Sequence, residues 1–133
     1  MVSFASVNWL AVLVGTVLSM ALGALWYGPL FGQYWLKLIG KKEEELESDP
    51  IMYLKTAVAA FIGMLALNLV VVSFGAVDIL SGLVAGGFIF LGIGATTTFV
   101  YTNFEGPSEQ VWFLYVIYNL VVYLIMGAVF AIW

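Results

Sequence analysis

The sequence predicts an all-α integral membrane protein with four transmembrane helices in a single domain, residues 1–133. Of the 133 residues, 64% are hydrophobic and only 9% are charged, whereas about a quarter of the residues in soluble domains are charged. The apolar residues fall into four runs of about 20 residues, which is the length a helix needs to cross the hydrocarbon core. A soluble chain of this size could not bury so much apolar surface.

We predict transmembrane spans at about 6–27, 52–74, 79–102 and 111–132, and a short interfacial helix at about 30–39. The first span ends at Tyr27, because Pro29 clashes with the preceding helical turn and disfavours helical geometry at Gly28. Residues 1–6 contain no basic side chain and so lack the charged region of a signal peptide. We therefore interpret the first apolar run as a span of the mature protein.

The interfacial helix is predicted from an apolar stripe after Pro29. Phe31, Tyr34, Trp35 and Leu38 have the spacing i, i+3, i+4 and i+7, which is typical of an amphipathic helix lying along a membrane surface. Trp and Tyr side chains suit the headgroup level. We expect this helix to stop at Gly40.

The segment KKEEELESDP, residues 41–50, is the only strongly charged part of the chain. We interpret it as a solvated loop; the alternative is an acidic site for a metal or a partner. At its end, Ser48 or Asp49 precedes Pro50, which indicates a helix start with a capping oxygen. The next link, GAVD at 75–78, is so short that the second and third spans must form an antiparallel hairpin.

Small residues at helical spacing predict close packing between helices. They recur every fourth residue on the first span, and they lie on two faces of the third. Two glycine faces predict that the third span is central in the bundle or contacts another copy of the chain. The packing residues are Gly15, Ser19 and Gly23 on the first span, and Gly82, Gly86 and Gly94 on the third.

The orientation is predicted from lysines, since cytoplasmic loops carry an excess of them. All four, Lys37, Lys41, Lys42 and Lys55, lie in or beside the first loop. The loops 28–51 and 103–110 are therefore expected in the cytoplasm, with both termini outside.

Four sequence elements resemble the domain of unknown function 1761 family, which consists of small bacterial integral membrane proteins with four helices. The elements are NWLAVLV (8–14), LGALWYGPLFG (22–32) with Trp35, FEG (104–106) and YNLVVYLIMGAVFAIW (118–133). The resemblance implies a multi-pass protein of the bacterial cytoplasmic (inner) membrane and no particular activity. Family members often carry basic residues after FEG and an arginine early in the fourth helix. This chain has PSEQ (107–110) and Asn119 at those positions. A function that depends on those basic residues is therefore not expected in this chain.

Composition excludes several functions. The chain has no Cys, His or Arg, so thiol chemistry, imidazole bases and the usual zinc or copper sites are excluded. No ionisable residue lies deep in an apolar run, which is where functional charges of membrane proteins occur. We therefore expect no catalytic residue, no metal and no cofactor. Nucleic acid is not an expected partner of a chain without a basic face. The amide of Asn68 is interpreted as a cross-helix hydrogen bond.

Neutral polar residues near the cytoplasmic ends of the spans predict a small-molecule cavity. The amide of Asn119 needs several hydrogen bonds that lipid does not offer, so it should point into the bundle toward threonines of the third span. The candidate lining residues are Trp26, Tyr27, Thr98, Tyr101, Tyr115, Asn119 and Tyr123, with Glu105 at the mouth. In the alternative interpretation these threonines and Asn119 bond across helices, and the tyrosines only anchor the protein at the membrane surface.

Three functions compete on this basis. The first is a bundle that binds or conducts a small molecule or lipid and acts as a homo-oligomer. The second is an accessory or scaffold subunit of another membrane protein, docked through the glycine stripes and the charged loop. The third is a membrane enzyme on a lipid-soluble substrate, for which Glu105 with Tyr101 or Tyr115 would be the only acid–base set. The expected partners are thus the lipid bilayer, a second copy or another membrane protein.

Overall fold

The computed structural model describes residues 2–133 and contains four apolar helices, each long enough to cross a membrane. We call Trp9–Leu30, Pro50–Ser73, Ile79–Phe104 and Glu109–Ile132 the first to fourth spans. In order, the elements are α1 Trp9–Leu25 with a π-helical turn Trp26–Leu30, α2 Gly32–Ile39, α3 Pro50–Ser73, α4 Ile79–Ile89 with a π-helical turn Phe90–Ala95, α5 Thr96–Phe104, and α6 Glu109–Ile132. Residues 2–133 contain no strand, so the predicted fold class is confirmed.

The two ends of the bundle differ in composition. One end, the charged end, carries residues 31–49 and the loop 105–108, while the hairpin end carries the N-terminal residues, the turn 74–78 and the C-terminus. All four lysines lie in the first loop or within two turns of it. That the charged end faces the cytoplasm stays a prediction from those lysines.

Polar side chains cap the helices at the hairpin end. The side-chain oxygen of Asn8 accepts a hydrogen bond from the Ala11 amide at 3.0 Å, which satisfies a free donor of the first turn. The backbone N–H of Asn8 donates to the side-chain oxygen of Asn68 at 3.4 Å. This is the cross-helix hydrogen bond predicted for Asn68. Asp78 caps the third span, accepting from the Ser81 amide at 2.7 Å.

At the charged end, capping hydrogen bonds mark the residues at which the second and fourth spans begin. Asp49 accepts a hydrogen bond from the Ile51 amide at 2.9 Å, with Pro50 as the first helical residue. Ser108 accepts one from the Val111 amide at 3.4 Å. Because these caps stand outside the apolar runs, the second and fourth spans each begin two residues earlier than predicted.

The first span ends later than predicted, at Leu30 rather than Tyr27. The backbone kinks at Gly28 (φ −109°, ψ −106°), and the Phe31 amide then donates to the Trp26 carbonyl at 2.8 Å. This wider π-helical turn accommodates Pro29, which has no amide to donate. A Cβ at Gly32 would lie 2.7 Å from the Tyr27 carbonyl oxygen, so a glycine is required where α2 leaves the turn.

The fourth span is central in the bundle, rather than the glycine-rich third span. It packs against the first, second and third spans and also against α2. The third span packs mainly on the fourth, and the first mainly on the second. Long apolar side chains give the fourth span this reach, with Val122 and Met126 almost fully buried beside Leu67 and Val71 of the second span.

The third and fourth spans approach most closely where glycines face each other. A Cβ at Gly82 would lie 2.8 Å from the Ala128 Cα. A Cβ at Gly86 would overlap the Tyr123 carbonyl, and one at Gly127 would lie 3.1 Å from the Gly86 Cα. Small residues allow such contact between backbones in membranes. Gly82 and Gly86 therefore make their close packing contacts within their own chain.

The small-residue stripe of the first span also lies against the fourth span. A Cβ at Gly15 would lie 2.7 Å from the Met126 methyl, and one at Gly23 would lie 3.0 Å from the Tyr118 hydroxyl. Between them, the Ser19 carbonyl accepts a hydrogen bond from that hydroxyl at 2.6 Å. This stripe makes room for large side chains of its neighbour instead of bringing two backbones together.

Candidate functional site

Trp26 and Tyr27 belong to an aromatic cluster at the charged end. Their ring centroids lie 6.1 Å and 5.7 Å from that of Tyr118, and they also contact Phe31 (4.5 Å) and Trp35 (5.2 Å) respectively. Both rings thus face the fourth span at Tyr118, one residue before Asn119 in the sequence. The cluster holds the end of the first span and the start of α2 onto the bundle.

Within residues 2–133, Thr98 is the threonine of the third span that makes a cross-helix hydrogen bond. Its hydroxyl accepts from the Trp112 indole at 3.1 Å, and it donates to the Gly94 carbonyl at 2.8 Å. The hydroxyls of Thr96 and Thr97 likewise donate to carbonyls of the preceding turn. This local bonding, which Ser and Thr often adopt inside helices, satisfies the threonines without Asn119.

Asn119 donates a hydrogen bond to the Tyr115 carbonyl of its own helix at 3.0 Å. Tyr101 is 57% exposed and Tyr115 is 37% exposed, and Glu105 is also exposed. The predicted lining residues are thus found in the aromatic cluster, in the Thr98–Trp112 pair, at exposed positions and at Tyr123. That they line one cavity stays a prediction. Among residues 2–133 no three carboxylates converge on a point that could hold a metal ion.

Tyr123 lies at the floor of an apolar groove between the second and third spans. The groove has a volume of about 200 Å³. One wall includes Gly63, Ala66 and Val70, and the other includes Phe90 and Ile93. Tyr123 carries the one polar side chain of this lining, so its hydroxyl is the chemical feature of the groove.

Two glycines shape the groove around this hydroxyl. At Gly63 a Cβ would lie 3.2 Å from the Tyr123 oxygen, and at Gly94 a Cβ would lie 2.6 Å from the Phe90 ring. Gly94 stands in the π-helical turn Phe90–Ala95, and its missing side chain lets the Phe90 ring lie back and contact the Tyr123 ring, with centroids 5.2 Å apart. Such turns are frequent at functional sites.

Tyr123 lies in the middle part of the fourth span, and its hydroxyl has no protein acceptor within residues 2–133. On the same helix, Trp112, Tyr118 and Asn119 each donate a hydrogen bond. At 1.5 Å per residue, Tyr123 is about 21 Å from Glu109 and about 14 Å from Ile132, the two ends of the span. Lipid chains at that depth offer no acceptor, and unsatisfied polar groups there are costly.

The groove-lining residues of the second span were not predicted. Gly63, Ala66 and Val70 follow one another at i, i+3 and i+7, a small-sided face that resembles the stripes of the other spans. That pattern was the available signal, but it does not tell a groove from a packing seam. The difference depends on which neighbour covers the face.

The family model described as "Protein of unknown function (DUF1761)" matches residues 10–131, nearly the whole chain. The chain therefore belongs to this family, as the resemblance of its motifs indicated. No curated protein and no solved structure matches the chain.

Proposed function

We propose that this member of a family without a described activity binds a lipophilic small molecule in the groove between the second and third spans. The observation that carries the proposal is the unpartnered Tyr123 hydroxyl facing the groove. Small-molecule sites are typically apolar with a few polar groups that orient the ligand. A bound ligand would supply the acceptor that neither the protein nor the lipid chains offer.

The depth of the hydroxyl restricts the ligand class. Tyr123 lies about 4 Å from the middle of its helix along the axis. Phospholipid ester groups lie near the membrane surface, so an ordinary phospholipid would place only hydrocarbon there. The ligand we expect has an oxygen acceptor within an otherwise apolar body, as a quinone with a hydrocarbon tail does.

The size of the groove indicates partial enclosure. Pockets that bury a whole drug-sized ligand are roughly 300–1,000 Å³, and this groove holds about 200 Å³. One ring or a short length of chain would fit, with the rest of the molecule lying in the bilayer. Ala66 and Ile93 of its walls are exposed at the lipid side, which favours entry from the membrane over passage from one end of the bundle to the other.

The proposed ligand binding does not depend on self-association of the chain. Self-association was suggested by Gly82 and Gly86, but their close contacts are with Gly127 and Tyr123 of the same chain. The groove is built from three spans of one chain, so we expect ligand binding to be unchanged in a monomer. An accessory role would instead need a partner protein for stability in the membrane.

The test measures binding of decylubiquinone, as a probe, to the purified full-length protein in nanodiscs by quenching of intrinsic fluorescence. Tyr123→Phe removes the hydroxyl and keeps the ring. A neutral hydrogen bond contributes about 0.5–1.5 kcal/mol, so affinity should fall by roughly 2- to 10-fold. Tyr101→Phe, at an exposed tyrosine, is the matched control.

A second pair of variants tests the groove itself. Ala66→Phe fills it from the open side, while Ala59→Phe adds the same ring at another exposed position of the second span, outside the groove. Only Ala66→Phe should abolish quenching. Equal quenching in all four variants, with a folded helical protein in each, would remove the groove as the ligand site.

A further inference from the structure

A second concave surface lies at the charged end, between α2 and the chain that follows it. It is an open depression with a volume of about 350 Å³, and its charged lining consists of the exposed residues Lys37, Lys41, Lys42, Glu43 and Glu44. We call it the mixed-charge cavity. Three of the four lysines in the chain line it, beside two carboxylates. It is separate from the groove at Tyr123 and independent of the function proposed there.

The end of α2 brings these charges together. Gly40 adopts a left-handed conformation (φ +69°), and the Lys41 amide then donates to the Leu36 carbonyl at 3.1 Å. This turn folds the next residues back beside Lys37. The Glu45 carboxylate makes a hydrogen bond within the loop, accepting from the backbone N–H of Lys42 at 3.3 Å. The side chains of Glu43 and Glu44 line the cavity instead.

The position of α2 puts the cavity at headgroup depth. The helix lies between the end of the first span and the start of the second, so both of its ends are at one membrane surface. Leu36 is buried in the bundle, whereas Tyr34 is 49% exposed. Tyr and Trp side chains of this kind are enriched at the headgroup level.

The two signs of charge favour a ligand that carries both. Lysine ammonium groups bind phosphate, and carboxylates accept strong hydrogen bonds from a primary ammonium. An anionic headgroup without an amine would face Glu43 and Glu44 unpaired, in a segment where residues 41–50 hold five acids against two lysines. A choline headgroup has no N–H to donate.

We propose that the mixed-charge cavity binds the headgroup of a phospholipid with both a phosphate and a primary ammonium group. Lys37, Lys41 and Lys42 contact the phosphate, and Glu43 and Glu44 contact the ammonium. The acyl chains extend into the bilayer beside α2. The ligand class is therefore the aminophospholipids, and phosphatidylethanolamine is the probe.

The test uses the full chain in phosphatidylcholine nanodiscs that contain equal amounts of phosphatidylethanolamine and phosphatidylglycerol. Lipids that stay bound after release are counted by native mass spectrometry. Exposed ion pairs are individually weak, so we expect a preference for phosphatidylethanolamine over either other lipid of about 3- to 10-fold. Absence of that preference would overturn the proposal.

Charge variants then separate the two halves of the headgroup. Lys41→Gln with Lys42→Gln should lower retention of both phosphatidylethanolamine and phosphatidylglycerol. Glu43→Gln with Glu44→Gln should lower only phosphatidylethanolamine and raise phosphatidylglycerol. Lys55→Gln, an exposed lysine outside the cavity, is the control and should change neither. An unchanged ratio of the two lipids in the glutamate variant would refute the assignment of the ammonium.

Soluble phosphoethanolamine distinguishes a lipid site from a site for a free metabolite. Because it has no acyl chains to anchor it, we expect a large excess to displace little of the bound lipid. Complete displacement at millimolar concentration would show that the cavity takes a soluble ligand and would overturn the lipid assignment.

Discussion

Replacing Gly82 with alanine tests the close approach of the third and fourth spans. The added Cβ would lie 2.8 Å from both the Ala128 Cα and the Ala131 Cβ. Carbon atoms prefer separations of about 3.5–4.0 Å, so the third and fourth spans must move apart by about 1 Å. These two neighbours are a backbone atom and a short methyl group, neither of which can rotate away. We expect a loss of about 1–3 kcal/mol in the free energy of unfolding, as for overpacked cores.

A matched variant isolates this steric effect from the general effect of alanine. Alanine in place of glycine stabilises a helix by up to about 1 kcal/mol, which partly offsets the clash. Gly92→Ala measures that gain alone, because a Cβ at Gly92 would have nothing within 4 Å. The two variants should therefore differ by about 1–4 kcal/mol, because the gain at Gly92 adds to the net loss at Gly82. Adding Gly86→Ala to Gly82→Ala should cost less than the sum of the single changes, since the helices have already separated.

The assay is unfolding in mixed micelles of a mild detergent and dodecyl sulfate, followed by tryptophan fluorescence, with the oligomeric state measured in parallel. If Gly82→Ala and Gly92→Ala unfold at the same dodecyl sulfate fraction, the close backbone contact does not exist. If Gly82→Ala instead leaves the monomer stable and only abolishes a dimer, the glycines face a second copy. That result would restore the interpretation of the stripe as a contact between chains.

Two further predictions concern single hydrogen bonds. Tyr118→Phe removes the bond to the Ser19 carbonyl at 2.6 Å and keeps the ring in the aromatic cluster, so the free energy of unfolding should fall by about 0.5–1.5 kcal/mol in the same detergent assay; an unchanged value would mean that the carbonyl is satisfied without it. The second concerns pH: the Ser81 amide and hydroxyl hold the pKa of Asp78 below its ordinary value of 3.8, so the cap is intact at neutral pH and is lost as pH falls through that lowered pKa. In an NMR titration the Ser81 amide and the Asp78 carboxyl should therefore shift together, with a common midpoint below 3.8, and a Ser81 amide that does not follow the Asp78 carboxyl would refute the cap.

Much of the fold is predictable because membrane spans are limited by simple physics. Apolar runs, the cap at Asp49 before Pro50 and the stop at Gly40 are local features, and the structure contains each of them. The end of the first span was misplaced for a reason that is also local. Pro29 excludes an ordinary α-helical hydrogen bond, but a π-helical turn satisfies the chain without it.

The candidate site was less predictable. The position of a residue along its span follows from the sequence, but the sequence does not tell which spans are neighbours or how each span is rotated about its axis. Counting residues along the spans places Trp26 and Thr98 toward the same end, whereas Asn119 lies only about 2 Å from the middle of its helix. The bonds between them depend on choices that the sequence leaves open, since a threonine or asparagine can bond within its own helix instead of across to another. Thr98 accepts from Trp112 rather than from Asn119, and Tyr123 lies toward the second span, which no pattern in its own helix indicated.

The contrast between two polar groups without partners supports the groove as the binding site. The Trp26 indole N–H is buried and has no hydrogen-bond partner in residues 2–133, but it is enclosed by aromatic rings, with Phe31 4.5 Å away between centroids. The faces of such rings are weak acceptors, and Trp26 does not line the groove. The Tyr123 hydroxyl instead faces a groove whose other lining side chains are all apolar. The fold supplies acceptors to three other polar side chains of the same helix, so the Tyr123 hydroxyl, which faces the groove, is the group to which we assign the proposed ligand.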